Sequence, residues 1–455
     1  LMKKVDLLNG PITASLARLA FPIMGTSFIQ MAYNLTDMVW IGGIGSGAVA
    51  AVGAAGMFTW LFNGTITVPK IGGQIKVAHA LGAGETEHAV QYAKGDLQIG
   101  IFFSILFGII SVLFAGPLIS FYKLNDPAVI ADAKAYLMIT GGLVIFNFLN
   151  QIFTGLMTAL GSSIVTFRST TVGLVINIIL DPLLIYGVGP LPKLGVAGAA
   201  IATVFAQIIV FLMYIRALSS ESLLFSNMHL LKPASMSHII EMVKLGLPVG
   251  LQSMLFSMIS MTIARIVADY GAAAVAVQKV GAQIESIAWM TAEGFGSAVN
   301  SFIAQNHGAG KKERIRKGYF TAMTIMLLWG TFTSVVLFVF PEQLMHIFIH
   351  EADVVPLGVD YLKILAVSEV FACLEMTAAG AFQGLGKSIF SSLIIIIFTA
   401  LRIPMALALS ATALGLNGVW WSISISSIIR GLLLPAAFGY VLHHYMKSAT
   451  NNKFI

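Results

Sequence analysis

Residues 19–42 read LAFPIMGTSFIQMAYNLTDMVWIG. Asp37 is the only charged residue in that stretch, which is long enough to cross the ~30 Å hydrocarbon core of a bilayer as a helix. Two features mark it further. Pro22 removes a backbone donor and predicts a kink. Asp37 is an ionisable group at membrane depth, where such groups are costly and point to function. The same opening returns 226 residues later, where Leu19-Ala-Phe-Pro22 is answered by Leu245-Gly-Leu-Pro248.

Working outward, the whole chain has the same character. It has 455 residues, 57% of them hydrophobic and only 10% charged. A soluble domain carries roughly 25% charged residues, so this chain has too little polar surface to be one. The spacing of the apolar runs predicts twelve spans, at 18–42, 46–72, 95–116, 134–158, 168–187, 195–217, 240–267, 272–304, 318–340, 357–384, 389–411 and 416–443. A membrane barrel would instead show alternating segments of about ten residues. The expectation is an all-α polytopic membrane protein. The polar start, Leu1 to Arg18, runs directly into the first span, so no cleavable leader is expected.

Basic residues set the orientation. Lys3, Lys4, Lys76, Lys94, Arg168, Arg216, Lys232 and Lys387 fall on one side, with the Lys311–Lys317 cluster, Lys447 and Lys453. The other side holds few, chiefly Lys123, Lys134 and Lys193, along with Asp126, Glu342, Glu351 and Asp353. By the positive-inside rule both termini are cytoplasmic. The net charge of +6 is thereby accounted for without a nucleic-acid partner. Cys373 is the only cysteine, so no intrachain disulfide can form.

The offset of 226 recurs. Ala48-Val-Ala50 is repeated at Ala274-Val-Ala276, and Gly82-Ala-Gly84 at Gly308-Ala-Gly310. It then drifts by a few residues: Ala159-Leu-Gly161 resembles Gly384-Leu-Gly386, and Leu194-Gly-Val-Ala-Gly198 resembles Leu414-Gly-Leu-Asn-Gly418. Six spans per repeat is an even number, so the two halves are parallel repeats. The expected division is an N-lobe over 1–218, a cytoplasmic linker over 219–238 and a C-lobe over 239–455. Two such pseudo-symmetric six-helix bundles around a central cavity suit alternating access.

Polar residues inside the spans cluster in the N-lobe. Gln30, Tyr33, Asn34 and Asp37 share a face of span one. Asn177 and Asp181 lie four apart in span five, and Pro182 frees the carbonyl of Ile178. Asn147, Asn150, Gln151 and Thr154 line one side of span four. Two acids facing one dry pocket cannot both stay ionised, so Asp37 and Asp181 can share a proton. Their oxygens, with those of Asn177, also suit a hard cation such as Na+. The alternative is an interhelical network that only holds helices together. The acids are not duplicated: Asp37 corresponds to Ile263, and Asp181-Pro182 to Ile403-Pro404. The C-lobe carries Glu285 and Glu293 with Trp289 in span eight, and Glu369 and Glu375 in span ten. These acids could bind a cation, pair with Lys279 or Lys363, or simply be solvated. Met254, Met258 and Met261 make a stripe on span seven that suits varied apolar substrates or ordinary packing. No phosphate-binding glycine loop, metal-ligand spacing or nucleophile–base pairing is present, so no enzyme, ATPase or cofactor is expected.

Taken together, Leu19-Ala-Phe-Pro22, Tyr33-Asn-Leu-Thr-Asp37, Trp40-Ile-Gly42, Ala78-His-Ala-Leu-Gly-Ala-Gly84, Asn177-Ile-Ile-Leu-Asp-Pro182 and Gly195-Val-Ala-Gly-Ala-Ala-Ile-Ala-Thr203 resemble the multidrug and toxic compound extrusion (MATE) family, most closely its DinF-like prokaryotic branch. The resemblance covers essentially the whole chain. It implies two bundles set in a V and a monomer in the plasma (inner) membrane. It implies export of small amphipathic, often cationic compounds against H+, by a secondary transporter. Asp37 would be the coupling residue, helped by Asn177 and Asp181, with substrate at Gln30, Tyr33, Asn34, Asn147, Asn150 and Thr154. Proton binding would bend span one at the hinge Pro22. Some relatives bind Na+ at this cluster with a span-six threonine. Thr203 is the nearest candidate here, and Ala199 the other residue for that position. The span-seven acid of the NorM-like branch has no counterpart between Leu247 and Arg265. A flippase for a lipid-linked precursor is an alternative that would need a basic cavity, for which Arg265 and Arg402 are the candidates. A receptor or scaffold without transport is a further alternative, and it gives no reason for acids confined to one lobe.

Overall fold

The computed structural model describes residues 4–121, 123–189, 191–219 and 228–447. Lys3 and Lys453 lie outside it, as does 220–227 of the expected linker. In chain order the helices are α1 (Ile12–Gly42), α2 (Ser46–Ala83), α3 (Thr86–Leu113), α4 (Ala115–Ser120), α5 (Pro127–Gly142), α6 (Val144–Ala159) and α7 (Ser163–Pro182). A π turn, Leu183–Gly187, follows α7. Then come α8 (Gly195–Ser219), α9 (Met236–Ala268), α10 (Ala272–Gly308), α11 (Lys312–Val339), α12 (Pro341–His346), α13 (Val355–Gly384), α14 (Ser388–Ala400), α15 (Arg402–Ser410) and α16 (Leu416–Lys447).

Nine segments among the described residues are long and apolar enough to cross a membrane, counting α7 with its π turn, and α14 with α15, as one each. The α5–α6 pair, bent by 47°, makes a tenth. Two further long helices, α10 and α13, complete the twelve expected spans; they carry Glu285, Glu293, Glu369 and Glu375, which lower their apolar character. The duplication holds in the secondary structure. The ends of α3 and α11, and of the short α4 and α12, are 226 residues apart.

The chain forms two compact units. One comprises Leu1–Val5 and Gly25–Gly250, the other Asp6–Met24 and Leu251–Ile455. The boundaries fall just past Pro22 in α1 and Pro248 in α9, so they differ from the expected division at 218 and 239. The cause is visible at each helix start. In the first unit Gln98 of α3 donates to the carbonyls of Leu230 (2.8 Å) and Lys232 (2.9 Å) and accepts from Ala234 N. Glu241 accepts from Tyr92 (2.5 Å) and pairs with Lys76 (2.6 Å). A Cβ on Gly246 would run into the Val68 carbonyl, so glycine is what lets α9 begin flush against α2. In the second unit Arg314 donates to the carbonyls of Leu7 and Gly10, and Lys311 to Leu8 O and Asn9 Oδ1.

Within the first unit α2 packs on α3, α5 and α6, and α8 on α5, α6 and α7. Within the second α13 is central, flanked by α10, α11 and α16. There Gly296 and Gly380 bring two helix backbones into contact: a Cβ on either would strike backbone of the other helix.

Candidate functional site in the first unit

The end of α1 is held against the end of α7. The last carbonyls of a helix lack intrahelical donors, and one of them, Trp40 O, accepts from the Tyr186 hydroxyl at 2.6 Å. Tyr186 lies on the π turn after Pro182, and its ring meets Trp40 edge-on with centroids 6.4 Å apart. Such turns recur at functional sites because they re-aim a side chain. Here the turn ties α1 to α7 one turn away from Asp37 and Asp181.

Asp37 and Asp181 sit within interaction range of each other. Asn177 and Asp181 are fully buried, and Asn177 Nδ2 donates to Asp181 Oδ1 at 3.2 Å. Thr203 of α8, also buried, adjoins Tyr33. Tyr136 of α5 lies within electrostatic reach of both acids. The polar atoms are under-satisfied. Asp37 Oδ1, Asp181 Oδ2, Asn177 Oδ1, Tyr33 Oη and Thr203 Oγ1 are buried with no hydrogen-bond partner among the described residues. Neither carboxyl has an ion-pair partner there. Most buried polar atoms are hydrogen-bonded, so five unpartnered oxygens from three helices set this cluster apart as under-satisfied. No group of three or more His, Cys, Asp or Glu suited to a metal occurs among the described residues. A monovalent cation would therefore depend on the amide, hydroxyl and phenol oxygens beside the two acids.

The remaining candidates are distributed differently. Gln30 and Asn34 are exposed on α1. The α6 amides tie helices together: Asn150 donates to Gln207 O of α8 (2.9 Å), and Gln151 to Asn63 of α2 (2.9 Å) and to Asn147 (3.3 Å). Thr154 bonds the Tyr214 hydroxyl at 3.0 Å. α1 runs as one helix through Pro22.

Several residues escaped the sequence reading. Tyr136 and Tyr186 look like ordinary span aromatics, and only the fold brings Tyr136 near the acids and Tyr186 onto Trp40. Asp96 of α3 is fully buried against Gly73, with both oxygens unpartnered; its place inside the third span was the available signal. In the second unit Glu375 pairs with Arg430 at 2.9 Å, not with Lys279 or Lys363. Of the two arginines left unplaced, Arg265 is exposed and pairs with Asp269 at 2.8 Å, whereas Arg402 is buried.

The chain is 26% identical to the "Probable multidrug resistance protein NorM" of Thermotoga maritima, over 93% of this chain and 91% of that protein. It is 23% identical to the "FAD transporter" of Shewanella oneidensis, covering 94% of each. Among solved structures, an outward-facing multidrug resistance MATE family transporter of the MOP superfamily matches with a TM-score of 0.91 at 22% identity, over 98% of this chain and 99% of that one. The family model MatE matches residues 22–183 and 248–408, one copy in each repeat. The chain therefore belongs to the MatE family, the multidrug and toxic compound extrusion transporters.

Proposed function

We propose that this protein is a secondary active exporter of small amphipathic, mostly cationic organic compounds, driven by protons that load at Asp37 and Asp181. It is a multi-pass membrane transporter, not an enzyme. The observation that carries the reading is the set of five buried, unpartnered oxygens around two carboxyls with no counter-charge. A proton turns one of the crowded acceptors into a donor and relieves the repulsion between the acids. Substrate export then follows from competition: a compound held by Gln30, Tyr33 and Asn34 of α1 and by Asn147, Asn150 and Thr154 of α6 leaves when the proton arrives. Pro22 is the hinge that lets α1 respond. The relatives named for multidrug resistance support the substrate class. The distribution of basic residues supports the cytoplasmic membrane with both termini inside, and the chain acts as a monomer of the DinF-like branch.

A second reading has one observation in its favour. The unpartnered atoms are all oxygens, which is the donor set of a hard cation, so Asp37, Asn177, Asp181 and Thr203 could hold Na+ instead. Efflux of a fluorescent cation from proteoliposomes under an imposed pH or sodium gradient separates the two. Transport driven by the pH gradient alone and lost in Asp37→Asn and Asp181→Asn is the expected result. Transport driven only by sodium replaces the proton, and unchanged export by both variants removes coupling from this cluster.

A further inference from the structure

The end of α1 carries a backbone acceptor that its own helix does not use. Gly43 N–H goes to Val39 O at 3.2 Å. Ile44 N–H, the donor that would close the next turn on Trp40 O, goes instead to Ile41 O at 3.0 Å. Trp40 O is thereby one of the orphan carbonyls of a helix end. The Tyr186 hydroxyl fills it, at 2.6 Å. The Trp40 side chain adds no hydrogen bond of its own, since its indole Nε1 is buried with no acceptor among the described residues.

Tyr186 reaches that carbonyl from a turn that is itself pinned. Leu194 N–H donates to Leu184 O at 3.0 Å, and a Cβ on Gly198 of α8 would strike the same Leu184 backbone. Gly187 ends the turn at φ +72°, a left-handed conformation that glycine adopts without strain. Beside the two bonded residues, Ile41 and Ile185 are buried in one core with residues of α2, α5 and α8. On the α1 side Gly43 leaves room for the hydroxyl: a Cβ there would fall on the Tyr186 oxygen. Both ends of the bond are thus shaped for it, by glycines that clear its path and by a core that fixes its height.

The bond lies close to both acids along the chain. Trp40 is three residues after Asp37, and Tyr186 is five after Asp181. Asp37 is within interaction range of Asp181 of α7, with Tyr33 of its own helix and Tyr136 of α5 in electrostatic reach. Helix ends fray, and a frayed last turn of α1 would let the Asp37 carboxyl swing away from Asp181. We propose that Tyr186 is a positioning residue of the coupling site: by holding Trp40 O it sets the last turn of α1 so that Asp37 stays opposed to Asp181. This rests on the reading that a cation loads at these two acids, and it adds the residue that keeps them in register. Tyr186 acts through the backbone of α1, so its loss weakens cation loading and leaves substrate affinity alone.

The test is ethidium efflux from proteoliposomes holding the full chain, titrated with whichever cation, proton or sodium, drives the wild type. Tyr186→Phe keeps the ring and removes the donor. It is expected to raise the cation concentration for half-maximal efflux by about threefold or more, the scale of one hydrogen bond, while KM for ethidium at saturating cation stays within about twofold. Gly43→Ala, which pushes the hydroxyl off Trp40 O, should raise it likewise, and the double variant should add nothing to Tyr186→Phe. A merely structural role would lower the amount of active protein and leave the half-maximal cation concentration where it was. An unmoved cation titration in both single variants, an equal change in ethidium KM, or additive shifts in the double variant overturns the assignment. Asp37→Asn is run beside them: loss of coupled efflux there with an unmoved Tyr186→Phe rejects the positioning role alone, whereas wild-type efflux by Asp37→Asn rejects coupling at this cluster and the positioning role with it.

Discussion

Removing one member of the Glu375–Arg430 pair is expected to damage the second unit more than removing both. The side chains are 7% and 5% exposed, and the N–O distance is 2.9 Å. In Glu375→Ala the Arg430 guanidinium keeps Thr399 and Ser427 as acceptors but loses its only carboxylate within ion-pair distance. Breaking a buried pair from one side costs about 3–5 kcal/mol, because the remaining charge stays buried without its partner. For a folding unit of roughly 200 residues that corresponds to a fall in Tm of about 6–20 °C. A double Glu375→Met, Arg430→Met variant removes both charges and fills much of the volume, so it should recover most of the loss. The assay is the temperature at which the detergent-purified protein loses its monodisperse gel-filtration peak. A fall of less than about 2 °C in Glu375→Ala, under 1 kcal/mol on the same scale, would refute the reasoning. So would a double variant that is as unstable as the two single losses combined.

Three further outcomes follow from the helix starts. Gly246→Ala should cost about 1–3 kcal/mol or more, as overpacking does, because its Cβ falls on the Val68 carbonyl; Gly439→Ala, which meets open space, should change thermal stability by no more than about 0.5 kcal/mol. His88 Nδ1 and His238 Nε2 lie 2.9 Å apart and need one shared proton. Burial first, then His88, Lys76 and Lys94, hold the His238 imidazole below its usual range against the opposing pull of Glu241. A depressed histidine favours its neutral form when folded, so this contact is fully present above about pH 6.5 and weakens as pH falls below it. Amide exchange at 236–242, corrected for intrinsic rate, should rise between pH 7 and pH 5 in the wild type and be flat in His88→Ala; a flat wild-type profile counts against the contact. The Asp6 carboxyl is held below the usual range, chiefly by the Asn9 backbone N–H, with Leu8 N–H, Arg314 and Lys311 adding to it and burial opposing. A depressed carboxyl stabilises above its unfolded value and stops doing so as pH falls through the folded one. Protection of residues 6–10 from exchange should therefore survive at pH 5 and be lost only below about pH 4.

How much of this was legible in the sequence depends on the kind of information each feature carries. The spans and their duplication are legible because composition and order are one-dimensional. The offset between Leu19-Ala-Phe-Pro22 and Leu245-Gly-Leu-Pro248 is the offset between α3 and α11 in the fold. Asp37 and Asp181 are legible because an acid in an apolar run stands out, whatever its partners. Partners themselves are not legible. Nothing in the spacing tells that Tyr186 bonds Trp40 O across 146 residues, or that Glu375 meets Arg430 across 55. The α6 amides illustrate the boundary. Their common face is evident from periodicity, but their bonds to α2 and α8 depend on which helices flank that face. The bounds of the compact units are not legible for the same reason: a repeat shows where a copy begins, not which unit its first turns pack into.

The two units, each taken by itself, show a frame that was copied and a chemistry that was not. Tyr136 and Tyr361 stand 225 residues apart, and each lies among the buried acids of its own unit. Pro182 and Pro404 likewise recur at the ends of corresponding spans. Around that shared frame the first unit places Asp37 and Asp181 with no cation in ion-pair range, whereas the second sets Glu285, Glu369 and Glu375 among Arg402 and Arg430. Two acids without a counter-charge cannot both stay ionised in one dry pocket. Acids set beside arginines have a counter-charge within the protein: Glu375 pairs with Arg430, and Glu285 lies within electrostatic reach of Arg402. The same helical plan therefore carries a pair of acids with no cation in ion-pair range in one unit and acids set beside arginines in the other, and the difference rests on which side chains bring a counter-charge with them.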